Sequence, residues 1–287
     1  MRIIAAPIGL CAFLAFSPAK AQDTVVHTLG AIAPTRDQIK SFPKASVPKF
    51  REALPAKVDL SANMPPIGDQ GGMGACVAWS AGYGLRSYYL KKNAKADISK
   101  PENVPSPAYI FNHGSAMDQP NVPCAKRGML ISIALETLKG GVVSAAEMPY
   151  NDKTCGPPPD LEMQSRAKKF RIDGWAFVDP DDFTAIKTSL ANGDPVVFGM
   201  QVSADDLSKF GDPKKSKVDG VYKRNPNAAT DGGHAEVLIG YDDSKQAFRV
   251  QNSWGPDWGD HGRFWLSYET FKSDATDAYI VRVGADQ

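Results

Sequence analysis

Helical spacing of apolar and small residues marks the first part of the chain. The stretch from Cys76 to about Asn93 repeats such positions along one face and predicts a helix. Met129 to Lys139 and Asp181 to Asn192 predict two more helices, each followed by glycine. Gly82 and Gly84 inside the first helix each cost about 1 kcal/mol relative to alanine. Their presence predicts close packing of this helix against a neighbouring element.

The pattern changes to strands from about residue 195. Five β-rich runs follow, and the polar segment 242–245 is a turn between two of them. The runs are Pro195–Val202, His234–Tyr241, Ala247–Asn252, Gly262–Ser267 and Ala278–Val283. A helical first part and a strand-rich second part predict the α+β class.

The first 21 residues resemble a secretory signal. A positive start precedes the apolar run 3–16, which is shorter than the about 20 helical residues that span a bilayer. Ala19-Lys20-Ala21 then provides a small-residue cleavage pattern, so we expect cleavage before Gln22 and export to the periplasm or medium. A lipid anchor at Cys11 is the weaker alternative, because Cys11 lies within the apolar run.

Residues 22–54 are rich in proline and lysine, and the prolines at 34, 43 and 48 break any long helix. We interpret this segment as a short propeptide or as an N-terminal arm that stays attached.

Composition excludes several classes of function. A formal net charge of +1 gives no basic footprint for nucleic acid. No other segment is long and apolar enough for a stable membrane span. No group of cysteines and histidines has zinc spacing, and 71–74 lacks the Lys-Ser/Thr of a phosphate loop. We therefore predict neither a metal nor a cofactor.

Three separated motifs contain the parts needed for acyl transfer by a thiol. Gln70 precedes Cys76 by six residues across a glycine-rich turn. His234 begins an apolar run, and Asn252 stands before Ser253-Trp254-Gly255. They provide a nucleophile, a base, an amide that can orient the base and a donor for an oxyanion.

These motifs and their order resemble the papain-like cysteine peptidases over roughly residues 55–285. Asn252-Ser253-Trp254-Gly255, followed by Trp258-Gly259 and Gly262, is the most specific match. The interval from Cys76 to Asn252 is 176 residues (252 − 76), longer than the family's typical about 130–150. Extra loop length in the second half accounts for the difference.

The resemblance implies a peptidase domain over 55–287 with two lobes and a cleft between them. The helical lobe is expected at about 66–165 and the β-rich lobe at about 166–287. Cys76 would be the nucleophile, His234 the general base and acid, and Asn252 the residue that orients His234. Gln70 and the Cys76 N–H would bind the oxyanion, a contribution of roughly 2.7–4 kcal/mol in comparable sites.

Two features are expected to favour the Cys76 thiolate. The start of a helix carries roughly half a positive charge, and a charged His234 would add a full one.

The resemblance also implies a substrate site and its partners. We expect polypeptide substrates, and a proteinaceous inhibitor is a further candidate partner. Small residues at 199 and 235 suggest a pocket for a large hydrophobic side chain two places before the scissile bond. The substrate-binding candidates are Arg127, Gly128, Met129, Gly199, Gly233, Ala235 and Trp254.

The sequence departs from the family at several positions. Val77 replaces the usual Trp, and Met73 replaces the usual Cys. After signal removal an odd number of cysteines remains; with Cys76 reserved for chemistry, Cys124 and Cys155 would pair with each other.

Glu236 occupies a position that is normally apolar and would share a strand face with His234. It could contact substrate, act as a pH-sensitive neighbour, or face solvent.

Two other functions use the same residues. A peptidoglycan amidase or transpeptidase would employ the same Cys-His pair on a different amide. A catalytically silent binding module would keep the fold without turnover, but the intact set of Cys76, His234, Asn252 and Gln70 argues against it.

Overall fold

A computed structural model describes residues 27–46, 53–212, 214 and 220–284. The signal interpretation of residues 1–21 lies outside these ranges. The α-helices are α1 (Arg36–Ser41), α2 (Ser87–Ala94), α3 (Pro107–Asp118), α4 (Ile131–Gly140), α5 (Leu161–Arg166), α6 (Phe183–Ala191), α7 (Ala204–Phe210) and α8 (Tyr268–Asp274). Within the described residues no helix has the length and apolar character required to cross a membrane.

Within the described part of the chain, eight strands form one mixed sheet. They are β1 (Lys57–Asp59), β2 (Gly174–Val178), β3 (Val196–Val202), β4 (Val221–Tyr222), β5 (Gly232–Asp242), β6 (Ala247–Gln251), β7 (Arg263–Ser267) and β8 (Ala275–Arg282). Their order is β2-β8-β3-β5-β6-β7-β4, and β1 adds to β5. The β4–β7 pair is parallel, whereas the other pairs named here are antiparallel.

A long helix beginning at Cys76 forms the centre of the helical lobe. Its Ala78–Arg86 stretch is π-helical and leads directly into α2. A Cβ at Gly82 would lie 2.1 Å from Ile110 of α3, and one at Gly84 would lie 3.3 Å from Val237 of β5. The predicted close packing at both glycines is therefore confirmed.

The sheet separates two hydrophobic cores. Strand alternation turns Val197 and Val237 towards the first core, which they share with the helical lobe. Phe198 and Leu238 point to the second core, which they share with α6 and α8. The α+β two-lobed fold that was predicted is thus present.

The predicted elements agree with the observed ones to within a few residues. The three predicted helices correspond to the helix beginning at Cys76, to α4 and to α6, and the five predicted strands to β3, β5, β6, β7 and β8. The helix α3 had not been predicted. Eight of its twelve residues are buried, including Asn112 and Ser115, so polar positions do not mark an outer face.

The arm comprising residues 27–46 packs on the body of the protein. Thr35 caps α1 with a full capping box. The Ala45 N–H then donates to the Phe177 carbonyl of β2, and Phe42 packs edge-on against Trp175.

A disulfide joins Cys124 to Cys155, as expected from the cysteine count. Cys76 is the free cysteine among the described residues.

Candidate active site

Cys76 lies at the start of the central helix and is completely buried. The N–H groups of Ala235 on β5, Gly30 on the arm and its own neighbour Val77 approach the sulfur. The thiol therefore lies against the strand segment that carries His234, as the sequence motifs require.

His234 and Asn252 form a buried hydrogen-bonded pair. Nε2 of His234 lies 2.9 Å from Oδ1 of Asn252, and the same oxygen accepts the Ser253 N–H at 2.7 Å. An oxygen that already accepts one N–H is suited to accept the imidazole N–H as well. Nδ1 has no hydrogen-bond partner among the described residues, so it is the nitrogen available to the Cys76 thiol.

Gln70 is held by both lobes and by the arm. Its Oε1 accepts a hydrogen bond from the Ser253 hydroxyl at 2.9 Å. Its Nε2 donates to the carbonyl of Thr28 at 2.8 Å and to that of Met73 at 3.0 Å. The amide that was predicted to bind an oxyanion therefore binds a backbone carbonyl of the arm.

Burial favours the uncharged forms of the thiol and the imidazole. It raises the pKa of the Cys76 thiol to about 11, although nearby N–H groups act in the opposite direction. It lowers the pKa of His234 to about 4, against the effect of the Asn252 hydrogen bond. With the arm in place, burial therefore favours the neutral thiol over the expected thiolate, because desolvation outweighs the N–H groups that approach the sulfur.

Trp254 contacts both the arm and His234. Its ring lies 4.9 Å from that of His27 at an angle of 11°, and 4.9 Å from that of His234 at an angle of 41°. His27 Nε2 also lies 2.9 Å from Oδ1 of Asp69. Trp254, one of the substrate-binding candidates, thus packs against His234 and also contacts the arm.

Residues 30–32 of the arm follow the cleft by backbone hydrogen bonding to both lobes. The N–H groups of Gly30 and Ala31 donate to the Gly233 carbonyl at 3.1 and 2.9 Å. On the opposite wall, Met129 N–H donates to Gly30 at 2.8 Å, and Ile32 N–H donates to Met129 at 3.0 Å. Two of the predicted substrate-binding residues, Met129 and Gly233, therefore hold the arm.

Glycines make room for the arm backbone. A Cβ at Gly128 would lie 2.5 Å from the Gly30 carbonyl oxygen, and one at Gly233 would lie 2.1 Å from that of Ala31. A Cβ at Gly30 itself would lie 1.9 Å from the Gly74 carbonyl oxygen. The arm backbone approaches these segments of the same chain so closely that the three positions must lack side chains.

Three other substrate-binding candidates have different surroundings. Ala235 is buried beside Cys76. The Arg127 side chain donates to the Val122 carbonyl, within its own loop. A Cβ at Gly199 would lie 2.5 Å from Oδ1 of Asp277 and 3.0 Å from Thr276. The side chains of Asp277 and Thr276 fill the space next to Gly199, and no cavity is visible at this position among the described residues. The preference for a substrate with a large hydrophobic side chain therefore stays a prediction.

Glu236 does not face solvent. Its side chain is completely buried, and Oε1 lies 3.6 Å from Nε2 of His234. Burial raises the pKa of its carboxyl well above the ordinary value.

Several residues of the site lacked a local sequence signal. His27 and Thr28 hydrogen-bond to residues 42–44 positions away along the chain. Asp69 and Ser253 adjoin predicted residues, Gln70 and Asn252, and this adjacency is the only signal that could have identified them.

Comparison with known proteins agrees with this geometry. The family described as papain family cysteine protease matches residues 54–280. An uncharacterized peptidase C1-like protein of Acanthamoeba polyphaga mimivirus is 26% identical over 76% of this chain and 70% of its own length. Vignain of Ricinus communis is 28% identical over 74% of this chain and 54% of its own length.

A solved structure is similar along nearly the whole chain. Xylellain, a cysteine protease from Xylella fastidiosa, superposes with a TM-score of 0.70 and 26% identity, covering 93% of this chain and all of the other. The chain belongs to the papain family of cysteine proteases, and it is a cysteine-type peptidase that hydrolyses peptide bonds by means of a thiol. These relatives favour neither the peptidoglycan enzyme nor the silent binding module.

Proposed function

We propose that this protein is an exported thiol peptidase whose own arm, residues 27–46, keeps it inactive until the arm leaves the cleft. The observation that carries the proposal is the position of Thr28. Its carbonyl accepts the Gln70 amide hydrogen bond at 2.8 Å, so the arm occupies the donor assigned to the oxyanion.

The same arm segment would exclude substrate by occupying the walls of the cleft. Gly30 and Ala31 use the backbone groups of Met129 and Gly233, which are the groups that an extended polypeptide would need. Main-chain pairing of this kind binds any extended segment, and side-chain pockets then add specificity. The arm and a substrate would therefore compete for one site.

Release of the arm would also change the charge state of the pair. Water entering the cleft reduces the desolvation that keeps Cys76 and His234 neutral. The proton on the Cys76 sulfur then moves to Nδ1 of His234, which gives a thiolate and an imidazolium without net proton uptake. Asn252 holds the imidazolium by accepting its Nε2–H.

Peptide hydrolysis would then proceed in two stages. The thiolate attacks the scissile carbonyl carbon, and the Gln70 Nε2–H and the Cys76 N–H bind the resulting oxyanion. His234 returns its proton to the leaving amine as the C–N bond breaks, which leaves an acyl group on sulfur. His234 next removes a proton from water, the hydroxide displaces the thiolate, and the carboxylic acid product leaves.

A single methyl group on the arm tests this proposal. Gly30→Ala places a Cβ 1.9 Å from the backbone of Gly74, so the arm must move while the body is unchanged. Gly140→Ala is the matched control, because nothing among the described residues lies within 4 Å of its Cβ. The measurements are the rate of Cys76 alkylation by iodoacetamide and the rate of hydrolysis of a fluorogenic peptide.

We expect both rates to rise at least about tenfold in Gly30→Ala and to stay at the wild-type value in Gly140→Ala. A tenfold rise corresponds to a loss of about 1.4 kcal/mol in the free energy of arm docking. Equal rates in all three proteins would contradict inhibition by the arm. Fast alkylation without hydrolysis of any peptide would contradict the peptidase assignment instead.

Export is proposed from the sequence of residues 1–21. The Cys124–Cys155 disulfide supports it, because such bonds persist in oxidising compartments. Expression of the full chain in a bacterial host should give a periplasmic or secreted protein whose first residue is Gln22. Retention of Met1 in a cytoplasmic product would contradict this part of the proposal.

A further inference from the structure

A buried carboxyl group lies behind the proposed catalytic base. Glu236 follows His234 by two residues on β5, and both side chains have no exposure. Oε1 of Glu236 lies 3.6 Å from Nε2 of His234. That nitrogen is the one hydrogen-bonded to Asn252 at 2.9 Å.

The other surroundings of Glu236 give it no partner. Phe198 lies opposite it across the β3–β5 pair, on the face that lines the second core. Neither carboxyl oxygen has a hydrogen-bond partner among the described residues, and no lysine or arginine of those residues is paired with it.

Three titratable side chains lie close to the Glu236 carboxyl or are affected by its charge. His234 lies on the same strand. Cys76 approaches from the central helix, and the Glu236 charge raises its pKa only as the smallest of the contributions. Tyr222 approaches from β4, but its hydroxyl already donates to Asp206.

A structural role for this carboxyl is hard to sustain. Burying an unpaired acid destabilises a fold, whereas an apolar side chain would fill the same space favourably. The imidazole is the group placed to gain from a negative charge there, because it becomes a cation during the reaction.

We propose that Glu236 is a positioning residue that acts through His234 by stabilising the imidazolium from the side opposite the thiol. The inference rests on the proposed function, since it concerns the base of that reaction.

Release of the arm allows protons to move among Cys76, His234 and Glu236. Cys76 gives its proton to Nδ1 of His234, while Glu236 begins as a neutral acid because of burial. As the pH rises, Glu236 releases its proton to solvent and becomes a carboxylate beside the Nε2–H. The imidazolium then keeps its proton to a higher pH than it would alone.

This arrangement predicts a shift in one limb of the pH profile. Loss of activity at high pH reports deprotonation of the imidazolium. Glu236→Gln should move that limb down by about one to two pH units, the usual effect of a neighbouring charge. At pH values above the alkaline limb, the rate of Cys76 alkylation in Glu236→Gln should therefore be about tenfold to a hundredfold lower than in the parent.

The test uses the full chain carrying Gly30→Ala, so that the arm does not mask the thiol. Alkylation of Cys76 by iodoacetamide is followed against pH in the parent and in Glu236→Gln, Glu236→Leu and Glu236→Asp. Nitrogen NMR of His234 Nε2 gives the titration of the ring directly. Glu162→Gln is the matched control, because the Glu162 side chain is 82% exposed and distant in sequence from the base.

We expect both neutral variants to lower the alkaline limb and the His234 titration together, and Glu236→Asp to restore part of the shift. Coincident limbs in the parent, Glu236→Gln and Glu236→Leu would overturn the proposal. Glu236→Leu keeps the test available if the amide is not tolerated, because an apolar side chain suits this site. A shifted limb without peptide hydrolysis would contradict the peptidase assignment and leave the role of Glu236 standing.

Discussion

The side-chain amide of Gln70 donates a hydrogen bond to the Thr28 carbonyl at 2.8 Å, across 42 residues of sequence. One contact thus connects the arm to the group assigned to the oxyanion. The Ser253 hydroxyl fixes the other end of the same amide at 2.9 Å. Gln70 is therefore oriented before any substrate arrives, and this orientation leads to the first prediction.

Gln70→Ala, made in the chain that carries Gly30→Ala, should lower kcat by about 10²–10³ with a smaller change in KM, because oxyanion donors act mainly in the transition state. Ser253→Ala should cause a smaller fall in kcat, since it loosens the amide without removing it. Steady-state kinetics with a fluorogenic peptide measures both. A change restricted to KM would identify Gln70 as a binding residue.

His27 anchors the arm through its stack on Trp254 and its contact with Asp69. Removing both interactions with His27→Ala should speed alkylation of Cys76 about tenfold, which corresponds to about 1.4 kcal/mol of docking. Lys40→Ala, on the exposed side of α1, is the control and should have no effect. Identical rates in the wild type and His27→Ala would show that the stack does not hold the arm.

The stabilisation of the docked arm by His27 should depend on pH, because its partner Asp69 titrates. Burial acts to raise the pKa of this carboxyl, but the His27 side chain and the Gly71 N–H together hold it below its ordinary value. Because docking lowers the pKa of Asp69, this carboxylate stabilises the docked arm at pH values above its ordinary pKa of 3.8. The stabilisation is lost as the pH falls through the lowered pKa of the docked state. The ratio of alkylation rates between His27→Ala and the wild type should therefore fall towards one in strong acid. A ratio that rises on acidification would contradict the assignment.

Asp277 should make the fold less stable as the pH rises. Burial raises the pKa of its carboxyl from 3.8 to about 6. Between these two values the folded state holds a proton that the unfolded state has lost. The resulting contribution to the free energy of unfolding is fully present below pH 3.8 and is lost as the pH rises through about 6. The difference of about 2 pKa units corresponds to about 3 kcal/mol.

Urea unfolding of the wild type and Asp277→Asn at acid and neutral pH measures this effect. We expect the variant to lack most of the decline, whereas Asp205→Asn, at an exposed site, should retain it. Parallel pH dependence in the wild type and Asp277→Asn would contradict the prediction.

The chemistry of the site could be predicted from sequence because each proposed catalytic residue lies within a short local motif. Cys76 begins a helix with clear periodicity, His234 lies on β5, and Asn252 directly follows β6. The fold class followed from the same patterns. These features depend on neighbours in sequence, which is why they could be predicted.

The arm could not be predicted in the same way. Residues 27–32 contact Gln70, Met129 and Gly233, each separated from them by long stretches of chain, and they carry no periodic pattern. The neutral state of Cys76 and His234 likewise depends on how deeply the fold buries them. Sequence motifs indicated a charged pair, whereas the three-dimensional packing determines whether water reaches it.

The most direct test of the account is to identify the acylated residue. The chain carrying Gly30→Ala is mixed with an activated peptide ester, quenched in acid, and analysed by intact and peptide mass spectrometry. We predict one acyl group, on Cys76, and a turnover at least about 10⁴-fold lower in the Cys76→Ala version of the same chain. An acyl group on another residue, or hydrolysis by the Cys76→Ala chain at the rate of its parent, would contradict the account.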